Sequence, residues 1–242
     1  MSKRVAVIIP FYNGQAYIKK CVDSLEIDRK DVWLIDNSEI PFNNNLGVHH
    51  VVTQGKRLGF GKAVNLGVSK LPKGKYSHII ILNQDAYFKE NHFVNFVEKL
   101  VGNQEDFLCP KLYQEDFQEI IPFVKERYFR KGVPKGDTYI SDYVGVLIAC
   151  SLELWNKLNG FDERFFMYFE ENDLFKRAIK DKPILFLPDV HVAHRNKADK
   201  MEEDLLKAFY KSEILFAKKH EPKSRYFFLR FKNLMRRIKK AY

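Results

Sequence analysis

The stretch Val5-Ala6-Val7-Ile8-Ile9-Pro10-Phe11-Tyr12-Asn13-Gly14 decides the fold. Residues 5–9 form an unbroken apolar run, as a parallel strand covered on both faces requires. The run ends in a proline and a polar turn. It has no small-residue cleavage site and is too short for a secretory leader, so it reads as a buried first strand. The pattern repeats outward from this strand. Residues 15–25 carry apolar side chains near helical spacing. Residues 32–35 are a second buried strand ending at Asp36, and residues 51–52 a short third. Residues 59–69 read as a glycine-started helix. Residues 78–82 are a strongly apolar strand ending at Asn83-Gln84-Asp85. Residues 93–101 are a helix with Phe93, Phe96, Val97 and Leu100 on one face. Strands alternating with helices predict an α/β fold: a Rossmann-like, mostly parallel twisted sheet with helices on both faces.

The second half is less regular. Residues 114–142 mix aromatic and charged side chains with Pro122, Gly132, Pro134 and Gly136, and read as an insertion or loop over a site. A strand (143–149), a helix (152–158) closed by Gly160, a helix (170–180), a strand (184–187), a further apolar run (190–193) and a long helix (202–219) follow. The expected organisation is one domain over 1–220 and a distinct tail over 221–242. From Pro222 onward there is no Asp or Glu. Lys223, Arg225, Arg230, Lys232, Arg236, Arg237, Lys239 and Lys240 alternate with Phe227, Phe228, Phe231, Leu234, Met235 and Ile238 at three- and four-residue steps. That is a basic amphipathic helix. It suits an anionic membrane surface, or else packs its apolar stripe on the domain with a solvated basic face.

The chain has 242 residues and a formal charge of +10, which calls for an anionic partner: nucleotide phosphate, nucleic acid or acidic membrane. The positive charge gathers in the tail and no nucleic-acid motif is visible, which argues against a nucleic-acid binder. The cysteines Cys21, Cys109 and Cys150 are widely spaced, form no metal-type pattern and fit a reducing cytosol. No apolar run approaches the roughly 20 residues of a membrane-spanning helix.

Three polar clusters fall at strand ends, where open α/β sheets bind ligands: Tyr12-Asn13-Gly14, Asp36-Asn37-Ser38 and Asn83-Gln84-Asp85. Asp85, held at the end of a rigid strand, can take Mg2+ or Mn2+ shared with diphosphate oxygens, or can simply cap the next helix. Residues 168–174 set Glu170, Glu171 and Asp173 beside Phe165, Phe166, Tyr168 and Phe169. Acids suit a helix start, but aromatic neighbours also desolvate a carboxylate and raise its pKa toward that of a general base. His194 closes the 190–193 run, with His191 nearby.

In order along residues 3–200, VAVIIPFYNG (5–14), LIDNSE (34–39), GFGKAVNLG (59–67), ILNQDAYF (81–88), GFDERFFMYFEENDLFKRA (160–178) and LPDVHVAH (187–194) resemble the motifs of family 2 inverting glycosyltransferases of GT-A fold. The bacterial rhamnosyltransferase-like members that build polysaccharides are the nearest in pattern. The resemblance implies a nucleotide-sugar donor, dTDP-rhamnose or a UDP-hexose, and a glycan or lipid-linked acceptor. It places Pro10, Tyr12, Asn13, Asp36, Asn37, Arg57, Gly59, Lys62, Asn65, Asn83 and Gln84 around the donor, with Asp36 on the pyrimidine edge. Asp85 and His194 would hold Mg2+ or Mn2+, and Asn83 stands where the family's first acid usually does. Glu171 aligns with the catalytic base, with Glu170 and Asp173 as rivals. Phe165, Phe166 and Tyr168 would flank the acceptor sugar. The implied location is the cytoplasm, at the inner face of the cell membrane. A sugar-nucleotide nucleotidyltransferase is the alternative, but it would want a glycine-rich loop with Arg and Lys directly after the first strand, where this chain has Phe11-Tyr12-Asn13-Gly14.

Overall fold

The computed structural model describes residues 4–103, 106–117, 138–140, 143–178, 184–195 and 202–241. The chain runs through β1 (Val5–Phe11), α1 (Gln15–Asp23), β2 (Val32–Asp36), β3 (His49–Val52), α2 (Phe60–Ser69), β4 (His78–Leu82), β5 (Ala86–Phe88), α3 (His92–Gly102) and β6 (Leu108–Tyr113). It continues with β7 (Thr138–Ile140), β8 (Leu147–Ser151), α4 (Leu152–Lys157), α5 (Glu170–Ala178), β9 (Ile184–His194), α6 (Glu203–His220) and α7 (Lys223–Ala241). Most of the stretch read as a loop over the site, 118–137, lies outside the described residues, as does the expected end of the 170–180 helix.

The strands form one sheet in the order β3-β2-β1-β4-β8-β6-β9-β5, with β7 on β9. Every residue of β1, β2, β4 and β8 is buried, as continuous apolar runs demand. The α/β reading holds, and the parallel pairing belongs to the first half: β1 lies parallel to β2 and β4, and β2 to β3. Beyond β4 the sheet is mixed. β8 runs antiparallel to β4 and β6, while β9 is parallel to β6 and antiparallel to β5 and β7. The Asn83 amide donates to the Val146 carbonyl at 2.9 Å, extending the antiparallel β4–β8 ladder one rung beyond Leu82–Leu147 and fixing the chain that enters β8 at the outgoing end of β4.

The expected strand over 143–149 starts later, at Leu147. Tyr143 is buried instead and donates its hydroxyl to the Pro110 carbonyl at 2.8 Å. The two runs 184–187 and 190–193 are one strand, with a register shift between Pro110 and Lys111 of β6 that absorbs Pro188. This long strand matters for the site, because its end brings His194 back beside Ala86 at the carboxyl end of β4.

Candidate functional site

Three strand ends meet at one rim of the sheet. After β4, Asp85 Oδ1 lies 3.2 Å from His194 Nε2, and Asn83 Nδ2 lies 3.5 Å from the same nitrogen. The three residues, read from separate stretches of sequence, are thus brought together. His191 is not among them. Three residues back on a strand, it points to the other face, stacks on His92 at 4.7 Å, and is pushed below the ordinary imidazole pKa by burial and then by His92.

A carboxylate oxygen and an imidazole nitrogen 3.2 Å apart fit two ligands of one divalent ion, each about 2.1 Å from it. Among the described residues no three His, Cys, Asp or Glu side chains gather, so the remaining ligands would be Asn83, water and donor phosphate. The mixed oxygen and imidazole set suits Mn2+ better than Mg2+.

Gln84 faces the other way. Its Oε1 accepts from the Tyr12 amide at 2.8 Å and its Nε2 donates to the Tyr12 carbonyl at 3.1 Å. A Cβ on Gly14 would lie 2.3 Å from that Oε1, so a side chain there would displace the Gln84 amide from the turn. Gln84 therefore clamps the turn after β1 rather than offering itself to a ligand. Pro10 is buried within β1. Asn13, in the left-handed region at φ 50, donates its amide to Ser38 Oγ at 3.0 Å and borders a cavity of about 460 Å3 shared with Gln15, Glu39, Ile40, Pro41, Phe42 and Asn43.

Asp36 stands behind that cavity. It is fully buried, and its carboxylate accepts from the Ser38 amide at 2.9 Å, the Phe42 amide at 2.7 Å and His50 at 3.0 Å. Burial would push this acid up, but the Phe42 and Ser38 bonds and then His50 outweigh it and hold it below its ordinary value. Asp36 thus holds the 38–42 loop that borders the cavity. Asn37 spans the neighbouring loop, donating to the Gly59 carbonyl at 3.3 Å and accepting from the Leu58 amide at 3.4 Å.

Two further residues of the expected donor set, Asn65 and Lys62, have partners in the 161–163 segment. Asn65 donates to the Phe161 carbonyl at 2.9 Å and accepts from the Phe161 amide at 3.1 Å, so it holds the turn at Gly160. Lys62 lies 3.8 Å from Glu163. Both line a larger depression of about 960 Å3 around the outer side of α2 with Trp155, Asp162 and Arg177. That cavity touches none of Asp85, His194 or Glu171. Its size does not make it the reactive centre, because the groups that converge lie elsewhere.

Arg57 lies over the Tyr12 ring at 4.2 Å and near the Phe166 ring at 5.6 Å, tying the turn after β1 to the segment before α5. Gly59, at φ 86, meets the same segment: the Phe60 amide donates to the Phe166 carbonyl at 3.0 Å. Phe166 and Tyr168 remain partly open to solvent. Phe165 is buried, with Lys219 5.5 Å from its ring centre, so it cannot flank a sugar.

The three acids of α5 separate cleanly. Asp173 is fully buried and receives Lys219, His220 at 2.7 Å and Arg177 at 2.8 Å. Burial would raise this acid, but these hydrogen bonds outweigh it and hold it below the ordinary value, so it serves as a structural anchor. Glu170 is buried beside Gly61, and its Oε2 has no hydrogen-bond partner among the described residues. Burial, and then the charge of Glu171, push it well above the ordinary carboxylate value. Glu171 is half-buried, its side chain 3.5 Å from where a Cβ on Gly145 would stand. Val146, the next residue, accepts the Asn83 amide. Only Glu171 of the three thus lies against the segment bonded to the Asp85 turn.

One residue at this rim escaped the sequence reading. The Arg195 amide donates to the Asp85 carbonyl at 3.3 Å, and its guanidinium lies 4.6 Å from the Tyr17 ring centre and donates to the Tyr17 hydroxyl. No carboxylate pairs with it among the described residues. Its position directly after His194 was the available signal.

A model of glycosyl transferase family 2 matches residues 6–151. Rhamnosyltransferase WbbL of Escherichia coli K12 is 22% identical over 219 residues, covering 78% of this chain and 83% of that protein. Among solved structures, S. aureus TarS superposes with a TM-score of 0.63 at 16% identity over 89% of this chain. GalNAc-T7 with UDP, GalNAc and Mn2+ superposes at 0.64 and 16% over 87%. This chain spans 39% of the TarS chain and 48% of the GalNAc-T7 chain. The sheet order, the strand-end rim and these matches agree in one assignment: the chain belongs to glycosyl transferase family 2 and has the GT-A fold.

Proposed function

We propose that the chain transfers a sugar, with inversion, from a nucleoside-diphosphate sugar to a hydroxyl of a glycan or lipid-linked acceptor in surface-polysaccharide synthesis, with dTDP-rhamnose the leading donor. The observation that carries this reading is the convergence of Asp85, His194 and Asn83 on one point, with Glu171 against the strand segment bonded to Asn83.

Asp85 and His194, with Asn83, would hold a divalent ion that, when bound, stabilises the diphosphate as it leaves. Arg195 adds a fixed positive charge next to this pair, where it would face the departing diphosphate directly. The cavity beside Asn13 and Phe42 suits a flat nucleobase, with Asp36 holding its wall in shape. Phe166 and Tyr168 offer aromatic faces to the apolar side of the acceptor sugar. In the single displacement, the acceptor oxygen attacks the anomeric carbon, its proton passes to Glu171, and the bond to the diphosphate oxygen breaks. Glu170, buried beside Gly61, is the poorer candidate for that proton.

The test is a panel of nucleotide sugars screened for thermal stabilisation with and without Mn2+, followed by transfer assays on the best donor. Glu171→Gln is expected to keep donor-induced stabilisation and to lose transfer by at least about a hundredfold. No stabilisation by any donor would reject the proposal. Retained turnover in Glu171→Gln would reject the base.

A further inference from the structure

The face of α7 has an unexpected orientation. An amphipathic helix beside a domain ordinarily turns its apolar stripe inward. Here the helix packs back along α6, with Arg236 3.9 Å from the Tyr210 ring centre and Leu229 only 3% exposed. Tyr226 and Asn233 are half-buried on the same side. At roughly 100° per residue, Phe227, Phe228, Phe231, Leu234 and Met235 fall within an arc of about 120° on the opposite side. They are exposed by 60%, 54%, 62%, 54% and 38%. The aromatic stripe therefore points outward, and the expectation that it packs on the domain does not hold for these side chains.

Charge frames the stripe. Lys223 and Arg230 fall on one flank of the arc and Arg225 and Lys232 on the other, and residues 222–242 contain no Asp or Glu. Most of the large exposed apolar side chains among the described residues sit on this helix. Scattered single exposures need no account, but a contiguous aromatic strip between two basic rows does. Among the described residues no helix is long and apolar enough to cross a membrane. A helix with this layout lies in the headgroup plane: the phenyl rings enter the acyl boundary, and lysine and arginine meet anionic headgroups on either side. A second copy of the chain is a poorer occupant, because face-to-face pairing of two such helices would bring their basic rows together.

We propose that the outward face of α7 docks the protein on an anionic lipid surface. The α6–α7 pair ties this face to the rest of the chain, since α6 supplies Lys219 and His220 to Asp173 and Ser212 to the Met167 carbonyl at 2.8 Å. The docking claim stands on α7 alone and does not depend on the donor or the chemistry.

The full chain is tested for flotation with vesicles of phosphatidylcholine alone and of phosphatidylcholine mixed with phosphatidylglycerol. Binding is expected to the mixed vesicles and to fall steeply as salt is raised. Phe228→Ser with Phe231→Ser is expected to weaken it by about tenfold or more. Arg230→Gln with Lys232→Gln is expected to weaken it by about thirtyfold. Melting temperature and donor-induced stabilisation, which α7's outer face does not enter, are expected to stay put in both variants and show that they fold. Equal binding of the variants and the parent, or no binding of the parent to mixed vesicles, overturns the proposal. So does a parent dimer that the serine variant converts to monomer, or salt-sensitive RNA binding without vesicle binding.

Discussion

Replacing Gly59 by alanine tests whether the start of α2 and the segment before α5 are one mechanical unit. Gly59 has φ 86 and ψ 174, a region essentially closed to residues with a Cβ. An added Cβ would stand 2.1 Å from the Phe166 carbonyl oxygen and 2.9 Å from its carbon. Both are backbone atoms, so no side chain can swing aside. The backbone must move, and the Phe60–Phe166 hydrogen bond at 3.0 Å goes with it. Adopting the disallowed dihedral costs about 1–3 kcal/mol and losing the bond about 1 kcal/mol more. The sum, about 2–4 kcal/mol, is a large share of a typical domain's 5–15 kcal/mol. Urea unfolding of the variant should show a midpoint lowered to match, with an unchanged slope. Because Phe166 also faces Arg57, and Arg57 faces Tyr12, donor affinity should fall as well. A variant within about 0.5 kcal/mol of the parent, with unaltered donor binding, would refute the coupling, since that is the range of a neutral surface change.

Glu170→Gln should stabilise the protein near neutral pH and flatten its pH dependence. The folded pKa of Glu170 is raised, so its contribution is intact below the unfolded value of about 4.3 and is lost as pH climbs toward the folded one. Urea midpoints measured across that window in parent and variant check the sign, and parallel curves would show Glu170 ionised in the fold. Arg195→Gln should weaken binding of a nucleoside diphosphate about tenfold while leaving the parent nucleoside unaffected, as loss of one charge-assisted bond to phosphate implies. Calorimetry with the two ligands separates these outcomes, and equal losses for both would place Arg195 outside the phosphate site.

The first half of the sheet was legible because β1, β2 and β4 are buried on both faces and so carry unbroken apolar runs ending abruptly in polar clusters. Those ends also located Asn83 and Asp85. The antiparallel direction of β8 was not legible, since it rests on long-range pairing with β4 that no local pattern announces. Asp36 could have been read better: a serine two residues on invites the side chain to fold back on its own backbone. The partners of Asn65 and Lys62 were not legible, because a glycine-rich helix start does not say which side of α2 faces Phe161 and Glu163. Phe165 and Phe166 are neighbours of the same type with opposite fates, and only packing against Lys219 and Arg57 tells them apart. The roles of Glu170 and Asp173 depended likewise on partners, or their lack, from α6 and α2.

Tyr168 and Phe169 both have φ 68, two successive non-glycine residues in the left-handed region immediately before the acids of α5. Such residues cost about 1–3 kcal/mol each, and the rings of Phe209 and Phe216 on α6 lie against them. The entrance to α5 is therefore a loaded spring with α6 as its latch. Loosening of α6 would remove the rings that cover this strained pair, directly before Glu170 and Glu171. Amide exchange at 168–171 should accordingly outrun that of β1 and β4, and slow exchange at 168–171 would refute the idea.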